Sequence, residues 1–363
     1  MTEWESHGIT ADPGRVHTEG RTARAVLEDA REQVAGFFGV RPRQVVLTSG
    51  GTESINTAVW GAVQANPGPV AGSSVEHSAV REASTRSAPV VTIAADRLGR
   101  IEPEAVDEAV DRCRATHGRA PTLVHCQWAN HEVGTIQPVA LVAERAARAG
   151  ALVHVDAAAA AGHVPIDLEE LAVDLVSVSA HKMGGPAGVG ALILRRGLRL
   201  DPFLVGGDQE RARRAGLENL LGAVGFGAVA AHLTRPEMLA AEEETARQRC
   251  AALSKAATAV EGVTLLGDPD RRLPHLVCLT VEGVEAEPVL LGLDRAGIAA
   301  HSGSACSSET LAPSPVLEAM GVDADHSLRL SVGWSTTEED VAAFGSAFAG
   351  VVDGLRGLRG LRA

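Results

Sequence analysis

Val45-Val46-Leu47-Thr48-Ser49-Gly50-Gly51-Thr52-Glu53-Ser54 carries the clearest fold signal in the sequence. Val45–Thr48 has strand character, a Ser-Gly-Gly-Thr turn follows, and helical periodicity begins at Glu53. The same alternation continues outward. Val90–Ile93, 123–128, Leu152–Asp156 and Leu175–Ser179 read as further strands, and 22–37, 103–114 and 138–149 read as helices. Strands separated by helices of this length imply an α/β fold, with a mostly parallel sheet covered by helices on both faces. Residues 188–195 read as one more strand, a candidate for antiparallel pairing.

The pattern changes after about residue 235. A polar helix at 240–257 leads to strand-like 273–281, a helix at 288–296, a strand at 328–332 and a final helix near 337–355. This predicts a large domain over 15–234 and a smaller α+β domain over 235–363. Residues 1–14 are expected to pack on the smaller domain or to be disordered. The Gly-Leu-Arg triplets from Gly354 to Arg362 read as a frayed basic tail.

Composition narrows the function. The 363 residues carry a formal net charge of −13, with 45% hydrophobic and 22% charged residues, which suits a globular chain. An acidic balance argues against nucleic acid as the main partner. No uninterrupted apolar run reaches membrane-span length, and MTEWESHG lacks the basic start and apolar core of a signal peptide. A cytoplasmic protein is the expectation. Five cysteines, at 113, 126, 250, 278 and 306, form no CxxC pair, which argues against a disulfide framework and a structural zinc site. Only two basic residues are lysine, Lys182 and Lys255, and there is no tyrosine.

Four segments carry chemistry. Ser179-Ala180-His181-Lys182-Met183-Gly184-Gly185 follows a strand end, and Asp156 ends another strand. Strand C-terminal ends in an open parallel sheet meet at one crevice. A lysine amine can form a Schiff base with an aldehyde, and a carboxylate can hold a pyridinium proton. Arginine cannot do the first, because its guanidinium stays protonated. A lone lysine is more often a surface residue; the His-Lys-Gly setting and Asp156 favour the chemical role. The Ser49–Thr52 turn offers backbone amides and a hydroxyl to an anion, and Ser179 and His181 could complete a phosphate cup. His77, in Val75-Glu76-His77-Ser78, could stack on a flat ring or simply cap a helix. Cys306, in His301-Ser302-Gly303-Ser304-Ala305-Cys306-Ser307-Ser308, sits among small polar residues and reads as an accessible nucleophile. Cys126 and Cys278 read as buried apolar residues.

The chain resembles the NifS/IscS-like cysteine desulfurases, a branch of the class V aminotransferases among the fold-type I pyridoxal-phosphate enzymes. The resemblance rests on TSGGTES (48–54), VEHSAV (75–80), ANHEVGTIQPV (129–139), HVDAA (154–158), SAHKMGGPAGVGAL (179–192), GGDQERARRAG (206–216), SGSACSSETLAPSPVLEAMG (302–321) and LRLSVG (328–333). It implies a seven-stranded, mostly parallel sheet in the large domain and a homodimer. It implies that Lys182 carries pyridoxal 5'-phosphate, Asp156 pairs with the ring nitrogen and His77 stacks on the ring and assists proton transfer. Gly51, Thr52, Ser179 and His181 would hold the phosphate. Asn130 would lie near the cofactor and substrate, and Arg329 would bind the carboxylate of L-cysteine. Cys306 would take the sulfur as a persulfide, leaving alanine. Sulfur would then pass to an acceptor protein, such as an iron–sulfur cluster assembly scaffold, a sulfur carrier or a thiolation enzyme.

Three departures from the family pattern accompany the resemblance. The family's opening LDxAATTP-like segment has no counterpart here, so an upstream start or an entrance open on that side is expected. Ala159 stands where the family has a glutamine that reaches the cofactor's phenolic oxygen. Leu217 stands where it has a threonine that reaches the partner subunit's phosphate. These departures keep two other readings open: a selenocysteine lyase or other pyridoxal-phosphate lyase or transaminase, and a catalytically impaired scaffold paralogue.

Overall fold

The protein is described here by a computed structural model covering residues 11–169, 171–302 and 313–360. Helix α1, Thr18–Phe37, precedes strand β1, Val45–Thr48, which turns into α2, Gly51–Ala65. The chain then runs through β2 (Val70–Ser73), α3 (Ser78–Ser87), β3 (Val90–Ile93), α4 (Pro103–His117), β4 (Leu123–Gln127), α5 (Val139–Arg148), β5 (Leu152–Asp156), β6 (Leu175–Ser179) and β7 (Gly190–Leu194) to α6 (Leu220–Leu233).

The seven strands form one sheet in the order β1-β7-β6-β5-β4-β2-β3. Strands β3, β2, β4, β5 and β6 are parallel, while β7 runs antiparallel to both β6 and β1. The strand at 188–195 is therefore antiparallel on both sides. Strands β4 to β7 are buried, apart from half-buried Leu152, which explains their near-continuous apolar runs. Only Ile93 of the edge strand β3 is buried. Strand β2 is short and helix α6 lacks a periodic signal. Helix α6 is nearly apolar all round, so it has no polar stripe to mark it.

The second part of the chain comprises α7 (Pro236–Thr258), β8 (Val263–Leu266), β9 (Leu276–Val281), α8 (Ala286–Arg295), β10 (His301–Ser302), α9 (Pro315–Ala319), β11 (Ser327–Ser331) and α10 (Glu338–Gly360). Its antiparallel sheet has the order β10-β11-β9-β8. Val277, Leu279 and Val281 of β9, Leu328 and Leu330 of β11 and Phe344, Phe348 and Val352 of α10 form its core. Helix α10 continues through Gly360, where the Gly-Leu-Arg triplets predicted fraying, and Arg356 donates to the Glu282 carbonyl at 2.9 Å.

By internal contacts the chain divides into two compact units. Among the described residues, one contains 11–93, 103–128 and 138–239, the other 94–102, 129–137 and those from 240 to 360. Two segments that a linear division puts in the larger domain thus cluster with the second unit. Their hydrogen bonds give the reason: Ile136 donates to the Arg271 carbonyl at 2.8 Å, and Leu273 donates to the Gly134 carbonyl at 2.8 Å. Segment 129–137 is thus stitched to chain that follows it by more than a hundred residues, and 94–102 is held to it by Gln137, which accepts the Ile101 amide at 2.9 Å and donates to the Gly99 carbonyl at 2.7 Å.

Candidate active site

In the first unit, sheet register brings three strand ends together. Gly190 of β7 lies opposite Thr48 of β1 on one side and Ser179 of β6 on the other. A Cβ at position 190 would fall 2.5 Å from the Val178 carbonyl oxygen and 2.7 Å from Gly50 Cα, so only glycine permits this approach. A Cβ at Gly51 would lie 3.7 Å from the Cβ atoms of both Ser179 and Ala158. The Gly50-Gly51 turn therefore sits beside the ends of β5 and β6. Gly51 and Thr52 open α2, where amides lack intrahelical acceptors and favour an anion.

Asp156 is buried at the end of β5, and its Oδ1 accepts the Ala158 amide at 2.9 Å. Half-buried Lys182 lies on the single turn Ala180–Met183 that follows β6. The Ser179 hydroxyl and His181 Nδ1 are 2.9 Å apart. Burial, and then the neighbouring Lys182 charge, hold His181 below the ordinary histidine range. Its neutral ring keeps one N–H donor for a ligand. Ala159 contributes only a methyl group.

His77 is reached through β4. Gln127 lies opposite Asp156, its side chain donates to the Val75 carbonyl at 2.8 Å, and its amide donates to Glu76 Oε1 at 2.8 Å. These bonds lash the Val75-Glu76-His77 segment to the strand beside Asp156. His77 Nδ1 accepts the Ala79 amide at 3.1 Å and caps α3. The capping role weighed from sequence is thus present, and it fixes Nδ1 as an acceptor, leaving the proton of a neutral ring on Nε2.

The second unit holds Asn130 and Arg329. Asn130 is fully buried, and its Oδ1 accepts the Glu132 and Val133 amides, each at 2.8 Å. Arg329, on β11, is half-buried and donates to the His131 carbonyl at 3.1 Å. Beside it Glu132 is buried, accepts the Ser314 hydroxyl and lies 3.5 Å from His131 Nε2.

Cys306 lies outside the described residues. The four described cysteines are all buried. Burial raises the thiol pKa of each, to about 12 for Cys250 and Cys278. None of these four is an accessible thiolate.

Three features escape sequence reading. His163 Nε2 lies 2.8 Å from the Lys182 carbonyl oxygen, and burial, then the Lys182 charge, depress its pKa. A Cβ at Gly162, whose φ is +82°, would meet Met183 Cβ at 3.0 Å, so the segment after Asp156 rests directly on the lysine turn. Glu53 accepts the Ser49 amide at 2.9 Å and pairs with Arg214 at 2.8 Å. Arg31 and Glu210 form a buried forked pair at 2.6 and 2.7 Å. A histidine seven residues after Asp156 was the only sequence signal for the first. Nothing in sequence spacing signals the two long-range pairs.

Comparison with known proteins places this geometry in context. The model of the class-V aminotransferase family matches residues 3–344. The chain is 38% identical to a cysteine desulfurase of Gluconacetobacter diazotrophicus over 355 residues, covering 94% of this chain and 86% of that one. It is 36% identical to the cysteine desulfurase IscS of Dictyoglomus turgidum over 340 residues, covering 91% and 84%. Among solved structures, a NifS-like protein superposes with a TM-score of 0.86 at 30% identity, covering 96% and 93%. A NifS-like protein from Rickettsia africae gives 0.83 at 27% identity, covering 94% and 92%. The fold is that of the fold-type I enzymes. The chain belongs to the class-V aminotransferase family, and its similarity within that family runs to the cysteine desulfurases.

Proposed function

We propose that the protein is a pyridoxal-phosphate-dependent cysteine desulfurase. It converts L-cysteine to L-alanine and leaves the sulfur on Cys306 as a persulfide. The observation that carries this reading is the convergence of the Gly51-Thr52 turn, Asp156 and the Ser179-His181-Lys182 run at adjacent strand ends.

The residues present fit the cofactor. The first amides of α2, the Thr52 hydroxyl and the Ser179–His181 pair match a phosphate. The Asp156 carboxylate matches a protonated ring nitrogen, and the Lys182 amine matches an aldehyde. Bound there, pyridoxal phosphate supplies an electron sink for bond cleavage at the substrate amino acid. Lys182 would hold the aldehyde and would relay a proton to and from the substrate. The Asp156 carboxylate would hold the ring-nitrogen proton, and His77 would lie against the ring and relay protons through Nε2. Arg329 takes the substrate carboxylate, a task suited to guanidinium, and Asn130 supplies a polar contact to substrate and cofactor. The Cys306 thiolate would attack the substrate sulfur, an S–S bond would form, the C–S bond would break with its electron pair left on the carbon side, and a proton taken up there would complete alanine.

The burial of the four described cysteines supports Cys306 as the nucleophile. A homodimer, a cytoplasmic location and a protein acceptor for the sulfur belong to the same reading. Exposed Val205 and Leu217, 77% and 62% accessible in the single chain, support a covered face there. The test mixes full-length protein, pyridoxal phosphate and L-cysteine, and measures alanine, with sulfide released by a thiol reductant. Stoichiometric alanine and reductant-dependent sulfide are expected. A cofactor-loaded protein that forms no alanine overturns the activity.

A further inference from the structure

The turn read as the phosphate site carries an electrostatic contradiction. A helix N-terminus attracts a dianion through its free amides. Glu53, the third residue of α2, puts a carboxylate at that same end and takes the Ser49 amide at 2.9 Å. An uncompensated carboxylate there opposes phosphate binding. We infer that Arg214 is the positioning residue that cancels this charge, so that the Gly51-Thr52 turn keeps its attraction for phosphate. The inference deepens the cofactor reading and rests on it.

Arg214 reaches Glu53 through two contacts, Nε to Oε1 at 2.8 Å and Nη2 to Oε2 at 3.3 Å, and the pair is largely shielded from water. Burial alone would raise the Glu53 pKa, but the hydrogen bonds from Arg214 and Ser49 bring it below the usual carboxylate range. The carboxylate is thus charged and needs a counter-charge. The segment bearing Arg214 is built for placement. Glu210 pairs with Arg31 and accepts the Leu47 amide of β1 at 2.9 Å. Glu210, Arg211 and Ala212 all have left-handed backbone, with φ of 47°, 59° and 61°. Three such non-glycine residues in a row are unfavourable and persist only when over-determined by their surroundings. The Ala215 amide donates to the Leu204 carbonyl at 3.1 Å, and the Gly216 amide donates to Gln209 Oε1 at 3.1 Å. The Arg214 segment and the turn it serves are therefore both fixed to β1.

The experiment titrates pyridoxal phosphate into full-length apoprotein and follows binding by the absorbance of the bound chromophore. Wild type is compared with Arg214→Gln, Glu53→Gln and the double variant. Arg214→Gln should weaken affinity at least tenfold, and Glu53→Gln should bind at least as tightly as wild type. The double variant should return to within about threefold of wild type, since removing both charges restores the balance. Unchanged affinity in Arg214→Gln, weakened affinity in Glu53→Gln, or a double variant as weak as Arg214→Gln each overturns the inference. Only a structural clamp would produce the last result. If wild type itself does not bind pyridoxal phosphate, the cofactor reading fails first and takes the inference with it.

Discussion

Lys182 is one of two lysines in the chain and lies on the turn after β6, and the proposed role there calls for an amine rather than a guanidinium. Lys182→Arg should abolish alanine formation, whereas Lys255→Arg, on the exposed face of α7, should leave it unchanged. The assay is L-cysteine turnover with saturating cofactor. His163 acts on the same lysine through the backbone, because its ring holds the Lys182 carbonyl at 2.8 Å. His163→Ala should lower kcat by roughly ten- to a hundredfold with little change in KM for L-cysteine, since misplacement of a reacting group costs rate before binding. His163→Gln, which keeps a donor, should recover part of the loss. Equal losses in both variants would rule out the positioning role.

At the scale of strands and helices, two buried pairs set stability. His125 on β4 and His154 on β5 lie opposite each other, with their Nδ1 atoms 2.8 Å apart. Ser84 of α3 and Ser177 of β6 close the chain at 3.2 and 2.8 Å. Burial lowers the His125 pKa to about 3, and burial together with His125 lowers that of His154 well below its usual value. Both rings are neutral in the folded state but take protons in the unfolded chain below about pH 6.5. Stability from this pair is therefore complete above about pH 6.5 and falls as pH drops toward 3. The melting temperature should decline through that window, and His125→Leu should flatten the decline while lowering stability at pH 7. The second pair is Arg31–Glu210, joining α1 to the segment that bears Arg214. Glu210→Ala removes the forked carboxylate from a buried guanidinium, leaving it only Glu28 at 3.3 Å and the Val45 carbonyl at 3.1 Å, and should cost about 3 kcal/mol in denaturant unfolding.

At the scale of the whole molecule, Glu338–Leu358 is long and apolar enough to cross a membrane by length and composition. Its Val341, Phe344, Phe348 and Val352, spaced three or four apart, are buried in the core of the second unit, which accounts for the apolar character. The 37.5 kDa chain should sediment as a species of about 75 kDa if it forms the proposed two-fold dimer. Leu217→Asp together with Val205→Asp should shift it toward the monomer. A wild-type chain that sediments as a monomer at micromolar concentration would remove the dimer from the proposed function.

The α/β alternation, most of the strands and the candidate residues that meet at adjacent strand ends were legible in the amino-acid order. Their signals are local: buried strands are apolar runs, glycine turns sit at fixed offsets, and Lys182 follows directly on a strand. The tertiary structure alone decided what depends on residues far apart in the chain. Segment 129–137 clusters with the second unit because its backbone pairs with Arg271–Leu273, and 94–102 joins it through the bonds of Gln137 to Gly99 and Ile101. Arg214 meets Glu53 across 161 positions, and Arg31 meets Glu210 across 179. No periodicity records such pairs, because a salt bridge needs only one residue at each end and leaves no repeating pattern. Residue order determined which chemistry is available. Sheet register and long-range charge pairing determined where it is held.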